Sequence, residues 1–307
     1  MLELLDSPDL AVAVTLQPLK RFALDAAIVF TDILPPLAAM GLEISFGDRE
    51  NPEGPRIANP IQSTRDIDLL AVPPASEALG KTLEAVRTLR GELGATPLIG
   101  FAGAPFTLAS YAIEGGGSKN YARTKALLYR EPAAWARLMT KLVTLISDYL
   151  AGQAAAGASA LQVFDSWAGV ALGREDYVRY VQPYNRRLFA ALRATGVPVI
   201  NFSTGTAAFI EEVASGGGDV VSVDWRMSLP WYRDRIGAGR AIQGNLDPVA
   251  LLAPWRELRP RVDEILDGAA GSPGHIFNLG HGILPETEPD TVARLVDYVH
   301  ERSAGSR

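Results

Sequence analysis

The sequence predicts an α/β protein built as a single (β/α)8 TIM-type barrel over residues 1–307. Short apolar runs alternate with helical patterns along the chain, as in a parallel sheet that is covered on both faces. The chain has 307 residues and is 48% hydrophobic, which is enough for one large core. No glycine-rich phosphate-binding fingerprint follows the first run, which favours a barrel over a doubly wound open sheet.

Seven strands can be read from short β-rich runs that are each followed by a helical pattern. They are "AAIVFTDIL" from 26, "PLIGFAG" from 97, "ALQVFDS" from 160, "VPVINFS" from 197, "DVVSVDW" from 219, "AIQGNLD" from 241 and "HIFNLGHG" from 275. The segment "LEISFG" at 42–47 is the candidate for an eighth strand. If this segment does not join the sheet, the barrel is distorted.

The longest helix is predicted after Pro132, where large apolar residues recur at intervals of three and four. They are Trp135, Leu138, Met139, Leu142, Leu145, Ile146 and Tyr149. This pattern is typical of an outer helix that packs on a sheet. In contrast, the stretch at 46–68 is polar and rich in Pro, Gly and Asn, which indicates a long surface excursion over one end of the barrel.

Composition argues against several classes of function. The net charge of −6 and the lack of a basic run argue against a sequence-independent nucleic-acid partner. The chain has no cysteine, so a disulfide, a thiolate nucleophile and a Cys-ligated metal are excluded. It also has no His–Glu–x–x–His pattern, so no metal site is expected. The start "MLELLDSPDL" lacks the features of a secretory signal, and no stretch approaches the roughly 20 apolar residues that span a bilayer. A cytoplasmic protein with no membrane partner is expected.

Polar residues near the ends of the predicted strands are the candidates for a functional site, because the carboxyl ends of barrel strands converge on one face. They are Asp32, Asp165, Ser166, Asn201, Ser203, Asp224, Asn245, Asp247, Asn278 and His281. An aspartate at such a position often caps the next helix or accepts hydrogen bonds from a turn. That structural role is predicted for Asp165, Asp224 and Asp247.

Asp32 is predicted to be functional. Apolar residues precede it, and Pro35 and Pro36 follow it. Desolvation of its charge would therefore be costly, and a ligand that donates hydrogen bonds to the carboxylate would offset this cost. His281 lies between glycines in "LGHGI" and is either structural or functional. Ser166 has no histidine in the local sequence to activate it, so we expect a hydrogen-bond donor and not a nucleophile.

Two triple-glycine runs are predicted to be turns. "EGGGSKNY" at 114–121 lacks the spacing of a phosphate-binding loop, and "SGGGDVV" at 215–221 leads into a strand. Phe101, Phe106 and Tyr111 bracket the first run. These aromatic side chains either belong to the core or form a wall for a flat ligand.

Five motifs resemble one known family in their order and along nearly the whole chain. They are "TLQPLKRFALDAAIVFTDIL", "PLIGFAGAPFTLASYAIEGGGSK", "ALQVFDSWAG", "QGNLDP" and "NLGHGILPETEP". Together they closely resemble the uroporphyrinogen decarboxylase family. The resemblance implies a homodimeric barrel that removes carbon dioxide from the four acetate side chains of uroporphyrinogen III. The product would be coproporphyrinogen III, made in cytoplasmic haem biosynthesis without a metal or organic cofactor.

The resemblance also assigns roles to individual residues. Asp32 matches the cleft aspartate that accepts hydrogen bonds from the pyrrole N–H groups and stabilises positive charge on the ring. The positions that match polar contacts to the carboxylate arms of the substrate are Tyr111, Ser166 and His281. The positions that match apolar walls are Ile28, Phe101 and Phe164.

One departure from the family pattern leaves alternatives open. Family members carry an N-terminal Arg–Gln–Ala–Gly–Arg segment that binds substrate carboxylates, and this sequence begins after it, so the chain is either a shortened form of a longer enzyme or a natural short form. The sequence does not identify which basic residue supplies the positive charge for the substrate carboxylates. Lys20 and Arg21 precede the first strand and are expected to face away, and Lys119, after the glycine run, is a weak candidate. A non-catalytic tetrapyrrole carrier is the alternative function. A corrinoid-related methyltransferase ranks lower, because that chemistry generally uses a Cys/His zinc site.

Overall fold

A curled parallel sheet forms the centre of the protein, in a computed structural model that describes residues 2–47, 54–237, 239–270 and 274–304. The strands are β1 (Ala27–Ile28), β2 (Ile44–Ser45), β3 (Arg56–Ile57), β4 (Leu98–Gly103), β5 (Ala160–Asp165), β6 (Val199–Ser203), β7 (Val220–Ser222), β8 (Ala241–Gln243) and β9 (His275–Ile276). Seven of them pair in the order β1-β4-β5-β6-β7-β8-β9. The order follows the sequence without a reversal, so the sheet is of the barrel type and not doubly wound.

The candidate for an eighth barrel strand, at 42–47, does not join this sheet, so that prediction is wrong. β2 pairs in antiparallel fashion with β3 in a separate two-stranded sheet, with Ile44 opposite Ile57. Antiparallel neighbours need only a short connection, whereas a parallel neighbour needs a long crossover, usually through a helix. The predicted surface excursion contains β3; its residues 48–53 lie outside the described part of the chain.

Helices surround the sheet. The α-helices are α1 (Leu2–Leu5), α2 (Pro8–Arg21), α3 (Pro35–Ala39), α4 (Thr64–Leu69), α5 (Ala75–Ala78), α6 (Gly80–Glu92), α7 (Pro105–Glu114), α8 (Ala122–Arg130), α9 (Pro132–Ala155), α10 (Ala168–Ala171), α11 (Arg174–Tyr180), α12 (Gln182–Leu192), α13 (Ile210–Gly216), α14 (Leu229–Ile236), α15 (Trp255–Ala269) and α16 (Pro289–Ala304). Short 3-10 helices cover Arg193–Thr195, Ala207–Phe209 and Pro248–Leu252. No helix in the described ranges is long and apolar enough to cross a membrane.

The predicted long helix is α9, and the prediction is confirmed. All seven of its periodic apolar residues, from Trp135 to Tyr149, are buried. α9 begins with Pro132 at its first turn, where proline fits because the missing N–H has no partner inside the helix. This helix packs against β4 and β5, the strands that carry two of the predicted wall residues.

Hydrogen bonds identify which face of the sheet is the inside of the barrel. Asn201 on β6 donates from its side-chain amide to the carbonyl groups of Val213 and Gly217 at α13, so its face points out toward the helices. Its neighbours in the strand therefore point inward. Inside, Gln243 on β8 donates to Gln162 on β5 at 3.1 Å. These strands are not adjacent in the sheet, so the sheet curls enough for a hydrogen bond to cross its interior.

The first strand leaves the sheet early, next to β4. Val29 makes the last main-chain bond of this pair, from its N–H to the carbonyl of Ile99 at 3.1 Å. The N–H and C=O of Phe101 point to the same side and are bonded by the side-chain amide of Gln153 of α9, both at 2.9 Å. Gly100 gives the amide room, because a Cβ there would collide with Gln153 Oε1. A buried side chain thus takes the place of the missing strand partner.

Replacing Gln153 with methionine should destabilise the protein by about 3 kcal/mol, because the N–H and C=O of Phe101 would both be buried without a partner. Urea unfolding followed by circular dichroism measures the change. Thr144→Ala on the exposed face of the same helix is the control, with an expected change within about 0.5 kcal/mol. Equal unfolding midpoints for Gln153→Met and the unaltered protein would contradict this account of β4.

Candidate active site

An aromatic wall crosses the inside of the barrel. The rings of Phe101 and Phe164 have centroids 5.3 Å apart, and those of Phe164 and Phe202 are 4.9 Å apart, each pair edge to face. The ring centroids of Phe202 and His281 are 6.2 Å apart. The structure therefore brings three of the predicted residues together and adds Phe202, which sequence reasoning missed. Its signal was available, because Phe202 has the same place in "VINFS" as Phe164 has in "ALQVFDS".

Ile28 lies on the same inner face, at the edge of the sheet. It pairs in register with Ile99, and 43% of its surface is exposed. Ile276 on the opposite edge strand is also inward-facing, opposite Gln243, and 42% exposed. Large apolar side chains left open to solvent on the inside of a barrel favour an apolar ligand over bulk water.

Asp32 follows β1 and lies half-buried at the carboxyl ends of the strands. Its Oδ1 accepts a hydrogen bond from the N–H of Leu34 at 2.8 Å, which fixes the turn into α3. Burial raises the pKa of Asp32, and the backbone N–H groups of Leu34 and Ile33 only partly oppose this effect. No side chain in the described part of the chain donates to this carboxylate or forms an ion pair with it. Asp32 therefore has acceptor capacity left for a ligand.

Tyr111 on α7 is close enough to Asp32 to be affected by its charge. Burial, and then the negative charge of Asp32, raise the pKa of Tyr111 to about 12, so its phenol keeps its proton at neutral pH. The Tyr111 ring packs on Trp167 with centroids 4.0 Å apart. Ser166 precedes Trp167 at the end of β5, and its carbonyl accepts a hydrogen bond from Thr204 at 3.0 Å, while its side chain is half-buried.

His281 lies at the exposed mouth of the barrel, after β9. Its Nδ1 accepts a hydrogen bond from the N–H of Gly282 at 2.7 Å. This geometry assigns the neutral tautomer that carries its proton on Nε2. Partial desolvation lowers the pKa of His281, the positive charge of Arg226 lowers it further, and Asp224 opposes both effects. His281 therefore offers a neutral Nε2–H donor.

The predicted capping roles of the other strand-end aspartates agree with the structure. Asp247 caps a 3-10 helix by accepting from the N–H of Val249 at 2.9 Å, and Asp224 accepts from the N–H of Arg226 at 3.0 Å. Asp165 faces outward and accepts from the Thr107 hydroxyl at 3.0 Å. Burial raises the pKa of Asp165 to about 6, and hydrogen bonds from Thr107, Asn185 and the N–H of Ala168 oppose this effect only in part. Asn245 holds a turn by donating to the carbonyl groups of residues 224 and 227.

The remaining predictions around the glycine runs divide in the same way. Gly115 ends α7 in the left-handed conformation with φ of 83°, as predicted for a turn. Gly217 and Gly218 likewise have positive φ before β7. Phe106 is fully buried against Trp135 and belongs to the core, so it is not part of the aromatic wall. Among the described residues, no three His, Asp or Glu side chains cluster to hold a metal ion.

Comparisons with known proteins agree on one family. The model of the family described as uroporphyrinogen decarboxylase matches residues 1–302. Uroporphyrinogen decarboxylase from Roseiflexus sp. is 50% identical, over 99% of this chain and 88% of that protein. The protein of the same name from Solibacter usitatus is 50% identical, over 98% of this chain and 86% of that protein.

A solved structure shows the same fold at low sequence identity. The methyltransferase from Methanosarcina mazei superposes with a TM-score of 0.78 over 96% of this chain and 86% of that chain, with 17% identity. At this identity the similarity shows only that the two proteins share a barrel fold.

The tautomer of His281 can be tested by nitrogen-15 NMR. The chain has only three histidines, so each signal can be assigned by a single substitution. We expect His281 to be neutral at pH 7 with its proton on Nε2, and to titrate below the usual value near 6.5. A signal from an imidazolium at pH 7, or from a proton on Nδ1, would contradict the assigned geometry.

Asp165 should make stability depend on pH in a defined direction. Its folded-state pKa of about 6 lies above the ordinary value of 3.8, so the folded protein binds the proton more tightly and loses stability as pH rises through this window. Asp165→Asn lacks this loss. The free energy of unfolding of the variant, relative to the unaltered protein, should therefore rise by about 2 kcal/mol from pH 4 to pH 7.

Asp66→Asn provides a control of opposite sign. Backbone hydrogen bonds from Gln62 and Ser63 lower the pKa of Asp66, so its carboxylate stabilises the fold above its ordinary pKa and this contribution is lost on acidification. The relative stability of Asp66→Asn should therefore fall as pH rises. If the stabilities of the two variants changed with pH in the same direction, burial would not raise the pKa of Asp165 as inferred.

Proposed function

We propose that the chain, which belongs to the uroporphyrinogen decarboxylase family, removes carbon dioxide from the four acetate side chains of uroporphyrinogen III and yields coproporphyrinogen III. The relatives at 50% identity carry the name of this activity. The single observation that carries the proposal is the half-buried Asp32, which has no cationic partner among the described side chains and is close enough to Tyr111 to affect its pKa. Such a carboxylate suits a ligand whose outer surface is apolar and whose centre donates hydrogen bonds.

Binding follows from this arrangement. A porphyrinogen is a flexible ring of four pyrroles whose N–H groups can turn toward one side. Asp32 can accept further donors, since one carboxylate has about four lone-pair sites and its donors among the described residues are the main-chain N–H groups of Leu34 and Ile33. Ile28, Phe101 and Phe164 would contact the apolar faces of the ring. Phe202 extends this wall toward His281.

The chemistry then requires a place for positive charge. Protonation of a pyrrole at a ring carbon gives a cation, and the bond from the acetate methylene to its carboxylate carbon can break with its electron pair moving into that ring. Carbon dioxide leaves, the methylene carbon takes a proton to become a methyl group, and the ring gives up the first proton. One proton is consumed for each acetate. The charge of Asp32 stabilises the ring in its two cationic states, before carbon dioxide leaves and after the methylene carbon is protonated, an electrostatic contribution of about 3 to 4 kcal/mol.

Three neutral donors surround the ring in this proposal. Tyr111 keeps its phenolic proton because its pKa is raised to about 12, and it can donate to a carboxylate arm of the substrate. Ser166 can do the same from the end of β5. His281 can donate from Nε2 because Nδ1 is occupied by Gly282. Donors without charge leave the carboxylates reactive, since none of them transfers a proton to the arm that must lose carbon dioxide as an anion.

The proposal also extends to partners and location. The reaction as written needs no metal or organic cofactor from the protein. A homodimer in the cytoplasm is proposed from the family resemblance, and the net charge of −6 supports the absence of a nucleic-acid partner. No other substrate class is proposed.

Replacing Asp32 with asparagine should lower kcat by about 100- to 1000-fold, because the amide is a neutral group and cannot stabilise a cationic ring as the carboxylate does. The assay is anaerobic incubation with uroporphyrinogen III, with products separated by their number of carboxylates. Asp66→Asn, which alters a capping carboxylate at α4, is the matched control and should keep nearly full activity. Wild-type turnover by a folded Asp32→Asn variant would rule out the proposed role.

A further inference from the structure

The proposed substrate creates a need for positive charge that the residues above do not meet. It carries eight carboxylates, and the chain, with Asp32 included, has a net charge of −6. Tyr111, Ser166 and His281 are neutral donors. An arginine or lysine at the rim of the cleft would offset this repulsion and orient a carboxylate arm.

Arg226 lies at this rim, in the loop that follows β7. The N–H of Gly280 donates to the carbonyl of Leu246 at 2.7 Å. Gly280 also packs directly on Asp224 and Trp225, which precede Arg226 in its loop. A Cβ at Gly280 would lie 2.9 Å from the Cα of Asp224 and 3.0 Å from the N of Trp225. His281 and Arg226 each follow one of these touching segments, so the fold brings them to the same part of the barrel mouth.

The guanidinium of Arg226 is held in place and still open to solvent. It pairs with the carboxylate of Asp224, which is almost completely buried, and its side chain is 48% exposed. It also lies over the Trp225 ring, 4.9 Å from the centroid. Asp224 accepts three further bonds, from the N–H of Gly205 at 2.6 Å, the N–H of Arg226 at 3.0 Å and the hydroxyl of Tyr232 at 2.9 Å. Because a guanidinium has five N–H donors, several remain for a ligand.

Its pairing with Asp224 does not cancel the positive charge at the cleft. At His281 the effect of Arg226 on the pKa exceeds the opposing effect of Asp224. The net effect of the pair at His281 is therefore that of a positive charge. A carboxylate that accepts from the Nε2–H of His281 would lie in this positive field.

The other candidate cations are placed or engaged differently. Arg21 pairs with Asp290 on α16 at 3.4 Å. Lys125 donates to the carbonyl of Ala171 at 3.0 Å, and Arg123 donates to the carbonyl of Ile61 at 2.9 Å. Lys119 is exposed in the loop after α7, and no described contact ties it to the cleft. Of these basic residues, Arg226 is the one whose charge lowers the pKa of a predicted site residue, His281.

We infer that Arg226 binds one carboxylate arm of the substrate beside His281, with Asp224 as the positioning residue that fixes the guanidinium. This inference rests on the proposed function. The two groups would act together, His281 with one neutral donor and Arg226 with a charged pair of donors.

The test compares Arg226→Gln and Arg226→Lys with Arg235→Gln, an exposed arginine of α14 that changes the net charge equally. Arg226→Gln should raise KM for uroporphyrinogen by about 10- to 100-fold, with a much smaller change in kcat, since a charge-assisted contact to a non-reacting arm is lost. Arg226→Lys should recover part of this loss, and Arg235→Gln should leave KM unchanged. The increase should shrink at high salt.

Two further measurements separate a binding role from a structural one. If Arg226 only neutralised buried Asp224, its variants would lower the unfolding midpoint and leave KM of the folded fraction unchanged, which would overturn the inference. If Arg226→Gln does not fold, Arg226→Lys keeps the charge beside Asp224 and must still raise KM. In the NMR titration, the His281 midpoint should rise in Arg226→Gln; an unchanged midpoint would place Arg226 too far away.

The inference can fail separately from the proposed function. If the unaltered protein shows no turnover, its affinity for uroporphyrinogen can be measured by quenching of tryptophan fluorescence under anaerobic conditions. Weaker binding by Arg226→Gln, with Arg235→Gln unchanged, would then support the carboxylate contact although the decarboxylase proposal had failed. Normal turnover together with equal KM values would overturn the contact and leave the proposed function intact.

Discussion

The hydrogen bonds between Gln153 and the backbone of Phe101 free the first strand from the sheet. In a regular parallel ladder the N–H and C=O of Phe101 would bond to a longer β1, and the chain after Val29 would be held in the barrel wall. With the amide of Gln153 in that place, the backbone groups stay satisfied and the chain can turn inward after two paired residues. Asp32 reaches the cleft, and its bond to Leu34 fixes the new direction. One buried amide thus positions both a wall residue and the central carboxylate.

Charge is distributed unevenly around the cleft that results. The centre carries a carboxylate whose recorded donors are main-chain N–H groups, whereas the rim after β7 carries an Asp–Arg pair with its arginine toward the solvent. The proposed ligand, with donors at its centre and carboxylates at its edge, matches this distribution of charge. A flat apolar ligand without such edges would gain the aromatic wall but none of the polar contacts. In the proposed complex, electrostatic contacts would orient the ligand, while the wall would supply contact area.

The sequence predicts the seven paired strands well, because apolar runs are a local pattern. The wall residues Phe101 and Phe164 were expected from the family resemblance, whereas Phe202 was missed because its place beside Phe164 depends on the register of two strands. The prediction that the segment at 42–47 joins the barrel sheet was wrong because strand propensity does not specify a pairing partner, and this segment pairs with the nearby β3. Gln153 and Arg226 carried no local signal. Each acts on a residue distant in sequence, and only folding reveals that Gly280 packs on 224–225 or that α9 lies behind Phe101.

In the proposed reaction, the burial that raises the pKa of Asp32 would favour the transition state over the free enzyme. Burial makes the carboxylate less stable as an anion than it would be in water, and backbone N–H groups offset only part of that cost. A neutral pyrrole N–H relieves the carboxylate modestly, whereas a protonated ring relieves it much more, because both charges then lie in a poorly hydrated space. The desolvation that destabilises Asp32 alone therefore increases its attraction to the cationic ring. An interaction that strengthens as charge develops lowers the barrier, while one that is equally strong in the bound substrate does not. A carboxylate already neutralised by an arginine would bind the ring with less change between the two states, so keeping Arg226 at the rim, paired with Asp224, preserves the effect at the centre.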